Sequence, residues 1–232
     1  MDRSNSGSLT ALHGAPLEDI LLGARLDLAD ALSAAIGTEC LGPRAYLRWI
    51  AAERVLCASG AEALRAMEPG APGLSGWLRD NATMLAGQAA MAAADVRRTD
   101  GMAPASGVLA IDRWRDYLDL HAGRRPGLVL GAIALHAGAC GGPARGALSA
   151  ALELPFLPLR GATYLVHRQL QATAQAGAVC ELWHLADARL QRELVAGATH
   201  AAGLYRGILH AAFDLPAAAG QARWHWPDER AG

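Results

Sequence analysis

The sequence predicts an all-α protein. Ala and Leu dominate the apolar 52% of its 232 residues, and only 5% are aromatic; this composition favours helices over sheets. Apolar residues also recur at helical spacing, and no repeat or interdomain linker interrupts them. We therefore expect a single-domain helical bundle of about seven or eight helices over residues 16–215, between a flexible N-terminus (1–15) and a C-terminal tail (216–232).

Proline and glycine mark the predicted helix boundaries. Each helix begins near a proline or a polar turn, and its apolar residues form one stripe. The predicted helices lie at about 16–37, 43–67, 74–98 and 108–121, followed by a glycine-rich helix from Pro126. A short helix ends before Pro155, and the sequence is again helical from Gly161. The last long helix is predicted to span 178–212.

Charge and cysteine usage limit the partners and the compartment. The net charge is −1, which gives no reason to expect a nucleic acid or an anionic membrane as partner. Four cysteines without CxxC spacing favour reduced thiols, and no basic-then-apolar signal precedes the first helix. We expect a cytoplasmic protein.

The glycine-rich helix, Gly127 to Gly142, needs a physical explanation. Glycine inside a helix costs about 0.5–1 kcal/mol relative to alanine, so a neighbour is expected to approach this backbone closely. Gly138, Gly142 and Gly146 share one face. That neighbour is either another helix or the flat side of a ligand. The uncharged run 126–144 has low hydropathy, which favours a buried core helix over a membrane span.

Two carboxylates fall on apolar helix faces. Glu53 lies near the apolar centre line of the second helix, and Asp187 falls within the stripe of the last one. A buried carboxylate must be paired, protonated or part of a site; a salt bridge or a rotated helix face is the alternative. Asn81 and Gln88 also face inward, either lining a pocket or forming hydrogen bonds in the core.

Cysteine and histidine lie one helical turn apart at two places. His136 precedes Cys140 by four residues, and Cys180 precedes His184 by four, so each pair can touch. A thiol beside an imidazole can act as a nucleophile, although such spacings also arise by chance. Glu181 and His184 match a metal-ligand pair, but the chain has no second Glu-x-x-His. We therefore predict no metal site of that type.

The order of these features resembles the heme oxygenase-like superfamily, particularly its bacterial heme oxygenases. The resemblance rests on the segment Arg44-Ala-Tyr-Leu-Arg-Trp-Ile50, the glycine-kinked helix and the Leu152-Glu-Leu-Pro155 loop. It implies that heme is the candidate cofactor and that the segment from His136 to Gly142 lies against it, with Gly138 and Gly141 close to the heme plane. The segment 24–32, which matches the position of the family's proximal histidine, contains no histidine. The ligand set of the di-iron branch is absent as well.

Three functions remain open at this point. The first is an oxidative enzyme or binder of heme, another tetrapyrrole or a similar flat hydrophobic ligand at residues 138–142. The second is a metal-free, thiaminase-type enzyme acting on a small heterocycle, with Cys140 or Cys180 as nucleophile and Glu53 and Asp187 as acid/base groups. The third is a non-catalytic helical protein whose glycine face packs against a partner helix or, in a homodimer, a second copy.

Overall fold

The part of the chain that the computed structural model describes folds entirely into helices and turns. It covers residues 15–38, 41–98, 109–157 and 162–215 and contains no strand there. The all-α prediction is confirmed, and so is the number of helices within these ranges. Apart from Ala15, the predicted N-terminal and C-terminal segments lie outside the described residues. The eight helices are α1 (Ala15–Gly37), α2 (Pro43–Met67), α3 (Ser75–Arg98), α4 (Leu109–Ala122), α5 (Pro126–Gly138), α6 (Ala144–Leu152), α7 (Thr163–Leu185) and α8 (Ala188–Ala212).

Local chemistry explains several helix starts. Pro43 and Pro126 occupy the first turns of α2 and α5, where the missing N–H of proline costs no hydrogen bond. The predicted long helix 178–212 is wrong, because the chain breaks into α7 and α8. Asp187 adopts an extended conformation there, and its carboxylate accepts a hydrogen bond from the Leu190 N–H. This is the geometry of a helix N-cap.

Helix α5 lies at the centre of the bundle. All its residues from Gly127 to Gly138 are buried, and it packs most extensively against α8 and also against α1, α2, α4 and α7. The expected core helix is thus present. No helix among the described residues is long and apolar enough to cross a membrane.

Two glycines allow α5 and α8 to cross backbone to backbone. A Cβ on Gly131 would lie 2.1 Å from the Leu194 carbonyl oxygen, and one on Gly197 would lie 2.1 Å from the Leu128 carbonyl oxygen. Both distances are far inside van der Waals contact, so only glycine fits. The close neighbour of the glycine-rich helix at this crossing is therefore another helix of the same chain.

Candidate functional site

The carboxylate of Glu53 is buried in the bundle and surrounded by donors from three other helices and its own. Its Oε1 accepts from Trp49 Nε1 at 3.2 Å and from Tyr205 Oη at 3.1 Å. Its Oε2 accepts from Tyr164 Oη at 2.5 Å and is 2.8 Å from His136 Nε2. The inward orientation predicted for Glu53 is confirmed, since only 1% of the residue is exposed.

These contacts determine the charge state of the cluster. Burial raises the pKa of Glu53, but three groups outweigh it and lower that pKa to about 2: His136, through the positive charge that it carries once protonated in acid, Arg168, and the Tyr164 hydroxyl. Burial lowers the pKa of His136 more than Glu53 raises it. At neutral pH Glu53 is therefore ionised, and a neutral imidazole protonated on Nε2 donates to it. Burial also raises the pKa of Tyr164 well above its ordinary value, so its phenol remains a donor.

Arg168 on α7 supplies the positive charge of the cluster. None of this residue is exposed. Its Nη2 donates to the backbone carbonyl of His136 at 2.6 Å, and its Nη1 donates to Gln175 Oε1 at 3.0 Å. The guanidinium therefore hydrogen-bonds to neutral oxygens, while its charge balances that of Glu53 through space. A buried ion pair of this kind is strongly interdependent, because removing one charge leaves the other uncompensated.

Cys57 connects this cluster to α3. Its Sγ lies 3.7 Å from Tyr164 Oη and 3.7 Å from Gln88 Oε1. Burial raises the pKa of Cys57 to about 12, so the resting thiol is neutral. The atoms of Cys57, Tyr164, Glu53 and His136 thus form a continuous chain of polar contacts across α2, α7 and α5.

The structure brings some of the predicted site residues together and separates others. Cys140 is buried near Arg168, whose guanidinium opposes the rise in thiol pKa that burial causes. Cys180 is exposed on α7. Asp187 is exposed as the cap of α8, so the expectation that it faces the core with Glu53 is wrong. His136 contacts Glu53 through its side chain.

The face that the resemblance assigns to heme is covered by α1. A Cβ on Gly138 would lie 3.0 Å from Leu21 Cδ2, and one on Gly141 would lie 3.4 Å from Arg25 Nε. Arg25 Nε also donates to the Gly138 carbonyl oxygen at 2.9 Å. Gly142 adopts a positive φ of 52°, which turns the chain toward α6. Side chains of α1 occupy the face where a macrocycle would lie, so the described residues do not fit heme.

Sequence reasoning missed most of the cluster around Glu53. Trp49, Cys57 and Tyr205 lie on apolar helix faces, where the pattern does not distinguish them from core residues. The candidates on α7, Cys180 and His184, lie at the opposite end of that helix from Tyr164 and Arg168. Tyr164 and Arg168 are four residues apart, and Gln175 is seven beyond Arg168; this is the spacing of one helix face. In the sequence, the signal for this face is an arginine, Arg168, at helical spacing from Tyr164 and Gln175. Of the two inward amides, Asn81 donates to the Trp77 carbonyl as an ordinary core amide, whereas Gln88 contacts Cys57.

Comparison with known proteins adds no relative: no family model, curated protein or solved structure matches the chain.

Proposed function

We propose that this protein is a metal-free enzyme that acts on a small heterocycle, with Cys57 as nucleophile and Glu53 as the proton acceptor. The observation that carries the proposal is the chain of contacts from the Cys57 thiol through the Tyr164 hydroxyl to the Glu53 carboxylate. This corresponds to the metal-free alternative inferred from the sequence, with a different cysteine. Cys57 replaces Cys140 and Cys180 because it alone of the three contacts a hydroxyl that donates to Glu53.

Tyr164 would act as a proton relay. At rest the Cys57 thiol donates to Gln88 Oε1. As Cys57 Sγ attacks a ring carbon, the S–H turns to Tyr164 Oη and passes its proton there, while Tyr164 passes its own proton to Glu53 Oε2. His136 donates to the same oxygen, Oε2, and so holds the carboxylate in place, and Trp49 and Tyr205 donate to its second oxygen, Oε1. Positioned proton transfer contributes about 100- to 10,000-fold to a rate and is most effective when the pKa of the base lies near the working pH. Because the pKa of Glu53 is about 2, we expect the low end of this range, with the carboxylate holding the proton only while the C–S bond forms.

The relay explains how a thiol with a raised pKa could react. A buried, neutral thiol is inert, because the thiolate is the nucleophile. Deprotonation coupled to attack avoids a free buried thiolate beside the charge of Glu53. A single imidazole, a single carboxylate and a nearby guanidinium form a poor set for a cation, and no group of three or more candidate ligands occurs among the described residues. Acid–base chemistry therefore matches this donor set better than metal coordination does.

Labelling with 4-chloropyridine tests the proposal. In this reaction Cys57 Sγ forms a bond to C4, the C–Cl bond breaks and chloride leaves with the bonding electrons. The thiol proton passes through Tyr164 to Glu53 and is then released to water, because a carboxyl with a pKa of about 2 does not retain it. Peptide mass mapping should locate the adduct at Cys57. The variants Tyr164→Phe and Glu53→Gln should slow labelling of Cys57 by about 100-fold.

The exposed Cys180 provides an internal control, because its labelling should be the same in all variants. Circular dichroism identifies any variant that fails to fold. Adducts at Cys180 alone, or a rate at Cys57 that is unchanged in folded Tyr164→Phe, would contradict the proposal.

A further inference from the structure

A group of side chains from α2, α3 and α7, linked partly by contacts and partly by helix spacing, lies beside the Glu53 cluster. Cys57 contacts both Gln88 and Tyr164. Gln175 contacts Arg168 through its oxygen, and its Nε2 lies 3.9 Å from Met84 Sδ. Helix α7 joins Tyr164 to Arg168, and helix α3 joins Met84 to Gln88, each pair four residues apart on one face. We name these side chains the donor ring: Cys57, Met84, Gln88, Tyr164, Arg168 and Gln175.

Two members of the donor ring have a buried polar atom without a partner among the described residues. These atoms are Gln88 Nε2 and Arg168 Nε, and neither residue is exposed at all. Both are N–H donors. The guanidinium also forms a side-chain hydrogen bond with Cys140, but a neutral thiol is a weak acceptor, and Nε has no partner within hydrogen-bond distance in the described part of the chain. Leaving such donors without an acceptor is costly, and native proteins do so rarely.

The missing partner is an acceptor that carries no net charge. A carbonyl oxygen has two lone pairs and can accept from both donors at once. A carboxylate could also accept, but the charges of Arg168 and Glu53 already balance in this buried cluster. An added anion would bring an uncompensated charge into the core, which costs more than a hydrogen bond returns.

We propose that the donor ring binds the carbonyl oxygen of a neutral heterocyclic substrate through Arg168 Nε and Gln88 Nε2. The inference rests on the proposed function, and it specifies the class of heterocycle: an uncharged aromatic ring bearing an amide or ring carbonyl group. Binding there places the ring beside Cys57, the member of the donor ring that is the nucleophile.

Calorimetric titration with three pyridines tests the assignment. Nicotinamide carries a neutral carbonyl group, nicotinate carries a carboxylate, and pyridine carries neither. We expect nicotinamide to bind at least about tenfold more tightly than the other two, since it alone satisfies both donors without adding charge. The substitution Gln88→Glu keeps an oxygen for the Cys57 thiol and removes the donor, so it should abolish the preference for nicotinamide.

Asn81→Asp is the matched control, because it places the same change on the same face of α3, where the amide already has its partner. It should retain the preference. If Gln88→Glu does not fold, Gln88→Met removes the same donor without adding a charge. Tightest binding of nicotinate, equal binding of all three pyridines or no binding would overturn the inference; in the last two cases water serves as the acceptor.

The two proposals can fail separately. If 4-chloropyridine labels Cys57 but nicotinamide is not preferred, the donor ring is not the substrate site, and the assignment of Cys57 as nucleophile stands. If nicotinamide is preferred and Gln88→Glu abolishes the preference, but Cys57 is not labelled, the proposed reaction is wrong and the binding site stands.

Discussion

At the scale of single residues, Glu53 and Arg168 are the charges on which the core depends. Glu53→Gln removes the charge that balances Arg168 and turns one accepting oxygen into a donor that faces other donors. We expect a loss of about 3–5 kcal/mol in the free energy of unfolding, measured by urea denaturation. Glu62→Gln is the control, because Glu62 is exposed on the same helix and its loss should cost less than about 0.5 kcal/mol. Equal effects of the two substitutions would contradict the role given to Glu53.

The pKa of Glu53 also determines how the stability of the folded protein depends on pH. The pKa of Glu53 is about 2 in the folded protein and 4.5 as its ordinary value, so the unfolded chain binds the proton first on acidification. The contribution of Glu53 is fully present above about pH 4.5 and is lost as pH falls toward 2. His136, whose pKa is lowered, acts in the same direction below 6.5, because protonation favours the unfolded state.

Urea midpoints measured at several pH values between 7 and 3 would check this dependence. The loss of stability on acidification should be smaller in Glu53→Gln, which has lost the titrating carboxyl, and unchanged in Glu62→Gln. Asp95, whose pKa burial raises, acts in the opposite direction in every variant. In Glu53→Gln the pKa of His136 also falls further, because Glu53 no longer raises it. This works against the expected difference between the two variants, which therefore gives a lower bound on the contribution of Glu53. A wild-type and a Glu53→Gln profile of equal slope would show that this carboxyl is not the group responsible.

How far the site is predictable from sequence depends on the range of its contacts. Glu53 is identifiable because periodicity within one helix places it inward. Its partners are not, since His136 and Tyr205 lie 83 and 152 positions away in the chain and only tertiary packing brings them together. Asp187 illustrates the opposite error: a helix pattern extended across it concealed an N-cap, although aspartate is among the strongest capping residues.

At the scale of elements, the crossing of α5 and α8 should tolerate no side chain at its contact points. Gly131→Ala and Gly197→Ala each place a Cβ 2.1 Å from a backbone carbonyl oxygen of the other helix, so the helices must separate. We expect each to cost about 3 kcal/mol or more, the upper range for overpacking. Thermal unfolding followed by circular dichroism at 222 nm would measure the change.

Gly177→Ala is the matched control for these substitutions. Gly177 lies within α7 with nothing within 4 Å of an added Cβ, and alanine there should stabilise the protein by about 0.5–1 kcal/mol. Destabilisation by all three substitutions alike would mean that the losses at Gly131 and Gly197 do not come from the crossing of α5 and α8. The sequence indicated a close approach to this helix. It could not identify α8 as the neighbour, because the partner glycine, Gly197, lies in a different helix.

At the scale of the whole molecule, α1 decides whether a flat macrocycle can enter. To expose the backbone at Gly138–Gly142, α1 would have to leave the bundle and lose the burial of Leu21, Leu28 and Leu32, which are at most 5% exposed. At about 1.5–3 kcal/mol for each side chain, this costs roughly 4–9 kcal/mol. A cost of that size weakens binding about a thousandfold or more, and α1 offers no histidine between residues 24 and 32 to recover it.

We therefore expect that hemin added to the protein at micromolar concentration produces no saturable change in the Soret band. Gly138→Leu should give the same spectrum as the wild type, whereas a heme site against this glycine would be blocked by the substitution. A saturable Soret shift in the wild type that Gly138→Leu abolishes would show that α1 can leave the bundle. The ligand site would then be assigned to the glycine face and not to the Glu53 cluster.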